Sequence, residues 1–193
     1  ILTDAAGGLV FLKTLTAEYL RLCGVDYAPS EGVLDVHQAP GVRETENAFL
    51  LADREGKSSG LTDRAALQLG GRLAYARPCQ IVQFQMDADQ LHQAARARGA
   101  TVTAYILSLM LLACRRATDE TNGDLSIQVP VDMRKYFSSP TLRNFSMYCG
   151  IRLPAAQVEP GPQLIAEVSR QLKEKAALEA MTEMIHSSTR LVS

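Results

Sequence analysis

Tryptophan is absent from this sequence, and Phe and Tyr together supply only 11 of its 193 residues. Neither charge sign is in excess, with Lys plus Arg at 20 against Asp plus Glu at 21. A broadly basic surface with interleaved aromatics, the footprint of a nucleic-acid partner, is therefore missing. Long hydrophobic runs are missing too. The longest, Ala104 to Cys114, contains Ser108 and closes at Arg115 and Arg116. It falls short of the roughly 20 residues that span a bilayer, so no membrane span is expected. Cysteine is sparse: Cys23, Cys79, Cys114 and Cys149 stand far apart and form no Cys-x-x-Cys pair. Finger-type spacing is thus absent and a disulfide scaffold is not indicated, which fits a reduced, cytoplasmic protein. His37, His92 and His186 share no ligand spacing with one another or with a cysteine, so they read as surface or capping residues and no metal is expected. No charged stretch precedes the opening at Ile1, so no signal peptide is indicated. The abrupt start suggests that chain is missing upstream.

What is present suits a folded domain. Hydrophobic residues make up 47% and charged residues 21%, enough for a core. Thr3 and Asp4 are N-cap types, and a helix follows in which Leu12, Leu15, Tyr19 and Leu22 share one face, with Gly24 as its C-cap. Gly7 and Gly8 near its front cost about 1 kcal/mol each relative to Ala. Either another backbone or a ligand approaches there, or the helix begins only after Gly8. Residues 25–77 carry weak periodicity and read as surface loop and short helix. A connection this long implies a crossover between lobes or a segment that covers something.

From Pro78 the patterns sharpen. Val82, Phe84 and Met86 alternate with Gln83 and Gln85, predicting a half-buried strand. Asp87 and Gln90 have capping-box spacing for a helix ending near Gly99. Thr101 or Thr103 opens a helix apolar nearly all round, which predicts burial. After the Asn122-Gly123-Asp124 turn, Leu125, Ile127, Val129, Val131 and Met133 alternate with polar residues and Pro130. Phe145, Met147, Cys149, Ile151 and Leu153 alternate in a further strand. Pro160-Gly161-Pro162 breaks the chain, and one long helix with a face shift near Lys175 follows. The expected order is a helix, a long crossover and then β-α-α-β-β-α. The fold class is α/β, as a two-layer α+β sandwich, divided as 1–24, 25–77 and 78–193.

Two polar constellations stand out. Thr3-Asp4-Ala5-Ala6-Gly7-Gly8 puts an acid at a helix start with two glycines behind it. Val129-Pro130-Val131-Asp132-Met133-Arg134, with Asn144-Phe145 soon after, puts Asp132 and Arg134 on one face of a strand. That face meets solvent, a partner or a polar cavity, or else the Asp-Arg pair simply fixes the strand end.

The opening Ile1-Leu2-Thr3-Asp4-Ala5-Ala6-Gly7-Gly8-Leu9-Val10-Phe11-Leu12 resembles the stretch that follows the catalytic His in the chloramphenicol acetyltransferase-like superfamily. That group includes alcohol acetyltransferases and the condensation domains of peptide synthetases. Its signature is His-x-x-x-Asp-Gly at a helix start. Ile1, Leu2 and Thr3 would be the variable positions and Asp4 the Asp, with the His just before Ile1. Val129 to Phe137 and Thr141-Leu142-Arg143-Asn144-Phe145 are similar to the Pro-Val-Asp-Leu-Arg and Asn-Phe stretches of the bacterial alcohol acetyltransferase-like branch. Ala5 departs from the pattern, which has Gly there. The resemblance implies that the chain holds mostly the C-terminal lobe plus the motif helix of the N-terminal lobe.

The resemblance also implies an acyltransferase. In it, a His general base activates a hydroxyl or amine acceptor toward a thioester of coenzyme A or phosphopantetheine, with no permanently bound cofactor and no metal. Asp4 would pair with an Arg to hold the His loop. Gly8, Arg134 and Asn144 would lie on the substrate side. Two alternatives stay open: a condensation domain that takes its substrate from an acyl carrier protein, and a non-catalytic binding domain of the same fold. Without the His, the 193 residues alone are expected to be inactive.

Overall fold

The computed structural model describes residues 3–25, 30–52, 65–71 and 81–189. Among them are five helices and a two-stranded antiparallel sheet, a mixed α and β chain. The helices are α1 (Ala5–Leu22), α2 (Ala88–Arg96), α3 (Val102–Arg116), α4 (Pro162–Lys175) and α5 (Leu178–Thr189). The strands are β1 (Asp124–Asp132) and β2 (Ser146–Pro154). No helix among the described residues is long and apolar enough to cross a membrane. The chain divides into two compact units. One comprises Ile1–Leu61, Pro130–Tyr148 and Leu178–Ser193, the other Thr62–Val129 and Cys149–Ala177.

Helix boundaries follow local chemistry. Asp4, Asp87 and Thr101 cap α1, α2 and α3, accepting from the N–H groups of Gly7, Gln90 and Ala104 at 3.0, 2.8 and 3.2 Å. Gly24 and Gly99 take left-handed φ values of 77° and 66° just beyond α1 and α2, and the N–H groups of Val25 and Ala100 reach back to Leu20 and Ala95. Pro162 opens α4. Ladder register is set by Met133 N–H donating to the Phe145 carbonyl at 3.0 Å and Ala155 N–H to Gly123 at 2.9 Å. Leu125 and Val131 of β1 and Cys149, Ile151 and Leu153 of β2 are buried as the alternation predicts. Pro130 fits because the positions bonded toward β2 are odd-numbered, Gly123 and Met133 among them, so its missing N–H lies on the strand's other edge.

In the second unit, α3 and α4 pack on the sheet through Leu107, Leu111, Leu125, Ile151, Leu153, Leu164 and Val168. The first unit is centred on Phe145, which is fully buried and meets Phe49 edge-on at 5.0 Å. Met133, Met181 and Ile185 are buried in the same unit.

Three expectations need correction. Residues 81–87 form no strand, and Phe84 is 82% exposed. Alternation gains stability only against a paired neighbour, and none is present among the described residues. The preceding 72–80 lie outside them. Secondly, the single C-terminal helix is two, broken at Ala176 and Ala177. Its apolar face shifts there because α4 buries Leu164 and Val168 in one unit while α5 buries Met181 and Ile185 in the other. The order after the crossover is accordingly α-α-β-β-α-α. Thirdly, α3 is buried on one side only, since Leu109 and Met110 are nearly half exposed. In α1 the shared apolar face points outward. It buries Gly7, Thr14 and Ala17, while Leu12, Leu15, Tyr19 and Leu22 are each more than half exposed. Small residues line the inner side because backbone from elsewhere in the unit comes close to them.

Candidate functional site

The close approach is specific to Gly7. A Cβ there would collide with the Thr3 hydroxyl oxygen and the Leu142 carbonyl oxygen. At Gly8 a Cβ would meet only Thr3 Cγ2, at 3.9 Å. Gly7 thus lets the segment after Pro140 lie on the first turn of α1, and Thr3 Oγ1 donates to the same Leu142 carbonyl at 2.7 Å. Of the two sequence explanations for the glycine pair, backbone approach holds at Gly7. Helix α1 already runs through both.

This docking aligns Asp4 with Arg134, 130 positions away. Oδ1 of Asp4 accepts from Gly7 N–H at 3.0 Å. Oδ2 accepts from Arg134 Nη1 and from Phe145 N–H, both at 2.8 Å. The two side chains retain 7% and 16% of their exposure, so the pair is largely desolvated. Burial pushes the Asp4 carboxyl up, but hydrogen bonds from Arg134, Gly7 and Phe145 outweigh it and hold the group below its ordinary value. For Arg134 burial pulls down, and Asp4 and Asp132 together raise it further, so it stays charged.

Arg134 spends every donor inside the chain. Nε and Nη2 donate to the Thr141 carbonyl at 3.0 and 2.8 Å, and Nη2 also to that of Arg143 at 2.8 Å. Nη1 adds Asp132 Oδ1 at 3.0 Å to its bond with Asp4. A guanidinium has five N–H groups, and these five bonds use them all. Arg134 therefore has none left for a substrate and acts as a positioning residue. It also lies in the single turn Met133–Lys135 beyond β1, and not in the strand. The Asp132 carboxylate caps that turn by accepting from Arg134 N–H at 3.0 Å, so the pair does fix the strand end.

The remaining candidates are placed differently. Asn144 is exposed, and its Oδ1 accepts from the N–H and hydroxyl of Ser146 at 3.0 and 2.7 Å, a turn closure at the head of β2. Gly8 is half-buried on α1, one residue past the Leu142 approach. Ala5 is the exposed first residue of that helix.

Sequence reasoning missed three features. Thr141 is buried and ties the knot to the crossover, its hydroxyl donating to the Glu46 carbonyl at 2.8 Å. Ser139 Oγ donates to the Glu46 carboxylate at 2.6 Å. No periodicity signals either. His186, read as a surface or capping residue, is 8% exposed in α5 with neither ring nitrogen partnered among the described residues. Its place beside the apolar Ile185 and Met181 spacing was the available clue.

Along α1 runs an open groove of about 480 Å³. Thr3, Gly7 and Leu142 form its head, Phe11, Thr14 and Leu15 its floor, Leu34 and Val36 its far wall, and Glu18 its end. Thr14 anchors that wall. Its hydroxyl donates to the Val10 carbonyl at 2.8 Å and accepts from Leu34 N–H at 2.9 Å.

Comparison with known proteins gives no assignment. No family model, no curated protein and no solved structure matches this chain.

Proposed function

We propose that this chain carries the positioning part of an acyltransferase site, as the C-terminal lobe and motif helix of a chloramphenicol acetyltransferase-like protein. The acyl group passes from a thioester, on coenzyme A or a carrier phosphopantetheine, to a hydroxyl or amine. The observation that carries this reading is the Asp4 carboxylate, turned onto Arg134 and the Phe145 N–H at the entry of α1. An acid held ionised and spent on three donors is no proton acceptor at neutral pH. Its effect is to fasten the residues that lead into the helix.

In this reading the base is a His immediately ahead of Ile1. It removes the acceptor's proton as the acceptor oxygen or nitrogen attacks the thioester carbonyl carbon. The tetrahedral adduct then expels the sulfur, and the imidazolium returns the proton to the thiolate. Positioned proton transfer supplies about 10²–10⁴-fold acceleration, and holding both reactants together supplies much of the rest. Asp4 and Arg134 act through the His and touch no reacting atom.

The test compares the full-length protein, with the chain ahead of Ile1 in place, and its variant in which the His before Ile1 is replaced by Ala. Each is given acetyl-CoA or an acetylated carrier protein, and a panel of alcohols and amines, with free thiol as the readout. We expect release only from the protein that keeps the His, and a fall in kcat with little change in KM for its Asp4→Asn variant. Release from the Ala variant would remove the assigned base. No release from either chain with any acceptor would count against the transferase and favour a binding domain. That second reading has its own support in the open groove along α1.

A further inference from the structure

Helix α4 turns one side toward the sheet of the second unit, and the chemistry of that side changes along its length. Leu164, Val168, Gln171 and Lys175 recur at helical spacing. The first two lie in the apolar core with Ile151 and Leu153 of β2. Gln171 is buried like a core residue, at 6% exposed, and Lys175 is half-buried. A carboxamide so placed has to find its partners inside the protein.

Those partners are the peptide groups of a strand edge. Phe145 and Ala155 bond across the ladder to Met133 and Gly123, so odd-numbered residues of β2 face β1 and even-numbered ones face away. Gly150 and Arg152 therefore lie on the outer edge. Gln171 Nε2 donates to the Arg152 carbonyl at 2.8 Å, and its Oε1 accepts from the Arg152 N–H at 3.0 Å. One residue of a third antiparallel strand would make the same pair of bonds. One helical turn on, Lys175 Nζ donates to the outward Gly150 carbonyl, and to Gln171 Oε1 at 3.1 Å. The second Nε2 hydrogen goes to Glu167 at 2.8 Å, so both donors and both acceptor sites of the carboxamide are used. None is left for a ligand. An apolar side chain would bury equally well here, and hydrogen bonds exchanged for those with water add little net stability. What the polar pair does supply is an edge that another strand cannot enter, and an open edge is a template for pairing.

We propose that Gln171 and Lys175 form an edge plug, holding the place of a third strand at Gly150 and Arg152 and so keeping β2 from pairing antiparallel with β2 of a second copy of the chain. A two-fold axis sets the same edge of both copies face to face, so the strand kept out is the one the edge itself presents. The plug is independent of the acyltransferase reading.

The experiment uses the full-length protein and its Gln171→Met and Lys175→Met variants. Val168→Ala is the control, since it opens the core on the same side of α4 and leaves the plug in place. Hydrogen exchange is followed at the Arg152 and Ile151 amides, and association by sedimentation velocity. In dilute solution the Arg152 amide should exchange at least tenfold faster in Gln171→Met than in the wild type, while Ile151, which faces β1, keeps its rate. Gln171→Met should also dimerise at least tenfold more tightly, and its Arg152 amide should regain protection as concentration rises. Lys175→Met uncovers one carbonyl only. It should shift dimerisation the same way by less, and it carries the test should Gln171→Met fail to fold. Equal Arg152 exchange in the wild type and Gln171→Met would overturn the proposal. So would dimerisation no tighter than in Val168→Ala, or Lys175→Met indistinguishable from the wild type. Association that leaves Arg152 unprotected would place the contact elsewhere, as at the exposed 81–87 stretch, and would overturn it too.

Discussion

Asp4 has two oxygens and three N–H donors, one local and two from residues more than 100 positions away. Removing its charge leaves a desolvated guanidinium N–H and the Phe145 amide poorly paired. Asp4→Ala should therefore cost about 3 kcal/mol, measured by urea unfolding. Because the folded carboxyl lies below its ordinary value, its contribution is present above about pH 4 and is lost as pH falls through the folded pKa. Asp4→Asn should be less stable at neutral pH and show a flatter loss as pH falls below about 4. A parallel acid limb in the variant would show that Asp4 is not the linked group. The glycines give a second residue-scale contrast. Gly8→Ala has room for its Cβ and should stabilise α1 by about 0.5 kcal/mol. Gly7→Ala gains the same propensity, yet should lower the melting temperature because Thr3 and the Leu142 carbonyl must give way. Equal effects would dispose of the backbone-approach account.

At the scale of the element, α1 explains most of what is unusual here. Its caps were readable from Asp4 and Gly24, each a local matter of four or five residues. Its orientation was not. The stripe at 12, 15, 19 and 22 has helical spacing, but spacing says only that those residues share a side. Which side faces inward depends on Leu34 N–H meeting the Thr14 hydroxyl and on Leu142 meeting Gly7. Thr14→Val keeps the shape and removes that acceptor. It should cost about 1 kcal/mol by urea unfolding and selectively lose hydrogen-exchange protection at the Leu34 amide. Unchanged protection at Leu34 would mean that the groove wall is held by something else.

For the whole molecule the relevant quantity is exposed apolar surface. Ile81, Val82, Phe84 and Met86 are 62–85% exposed in an extended stretch with strand-like alternation. An unpaired segment of that kind invites pairing with another chain. We expect sedimentation velocity to show self-association that grows with concentration, and Phe84→Lys to reduce it at least severalfold. A monomer at all concentrations would contradict this. The same stretch shows why one predicted strand failed. Its pattern equals that of β1, but β1 has Phe145 through Pro154 to pair with, and 81–87 has no described neighbour.

Local hydrogen-bond rules therefore decided a good deal from sequence alone: the cap at Asp87, the cap regions at Thr3-Asp4 and at Thr101 or Thr103, the glycine stops at 24 and 99, and the buried alternation of β1 and β2. These depend on backbone groups within about five residues of the signal, or on a period that burial must match. Tertiary structure decided the inward side of α1, the split between α4 and α5, the burial of His186 and the identity of the arginine that meets Asp4. Arg134 was named for another role because composition cannot tell which of many distant cations will close a five-donor knot. That choice is made by the chain path that brings Thr141, Arg143 and Phe145 around one guanidinium.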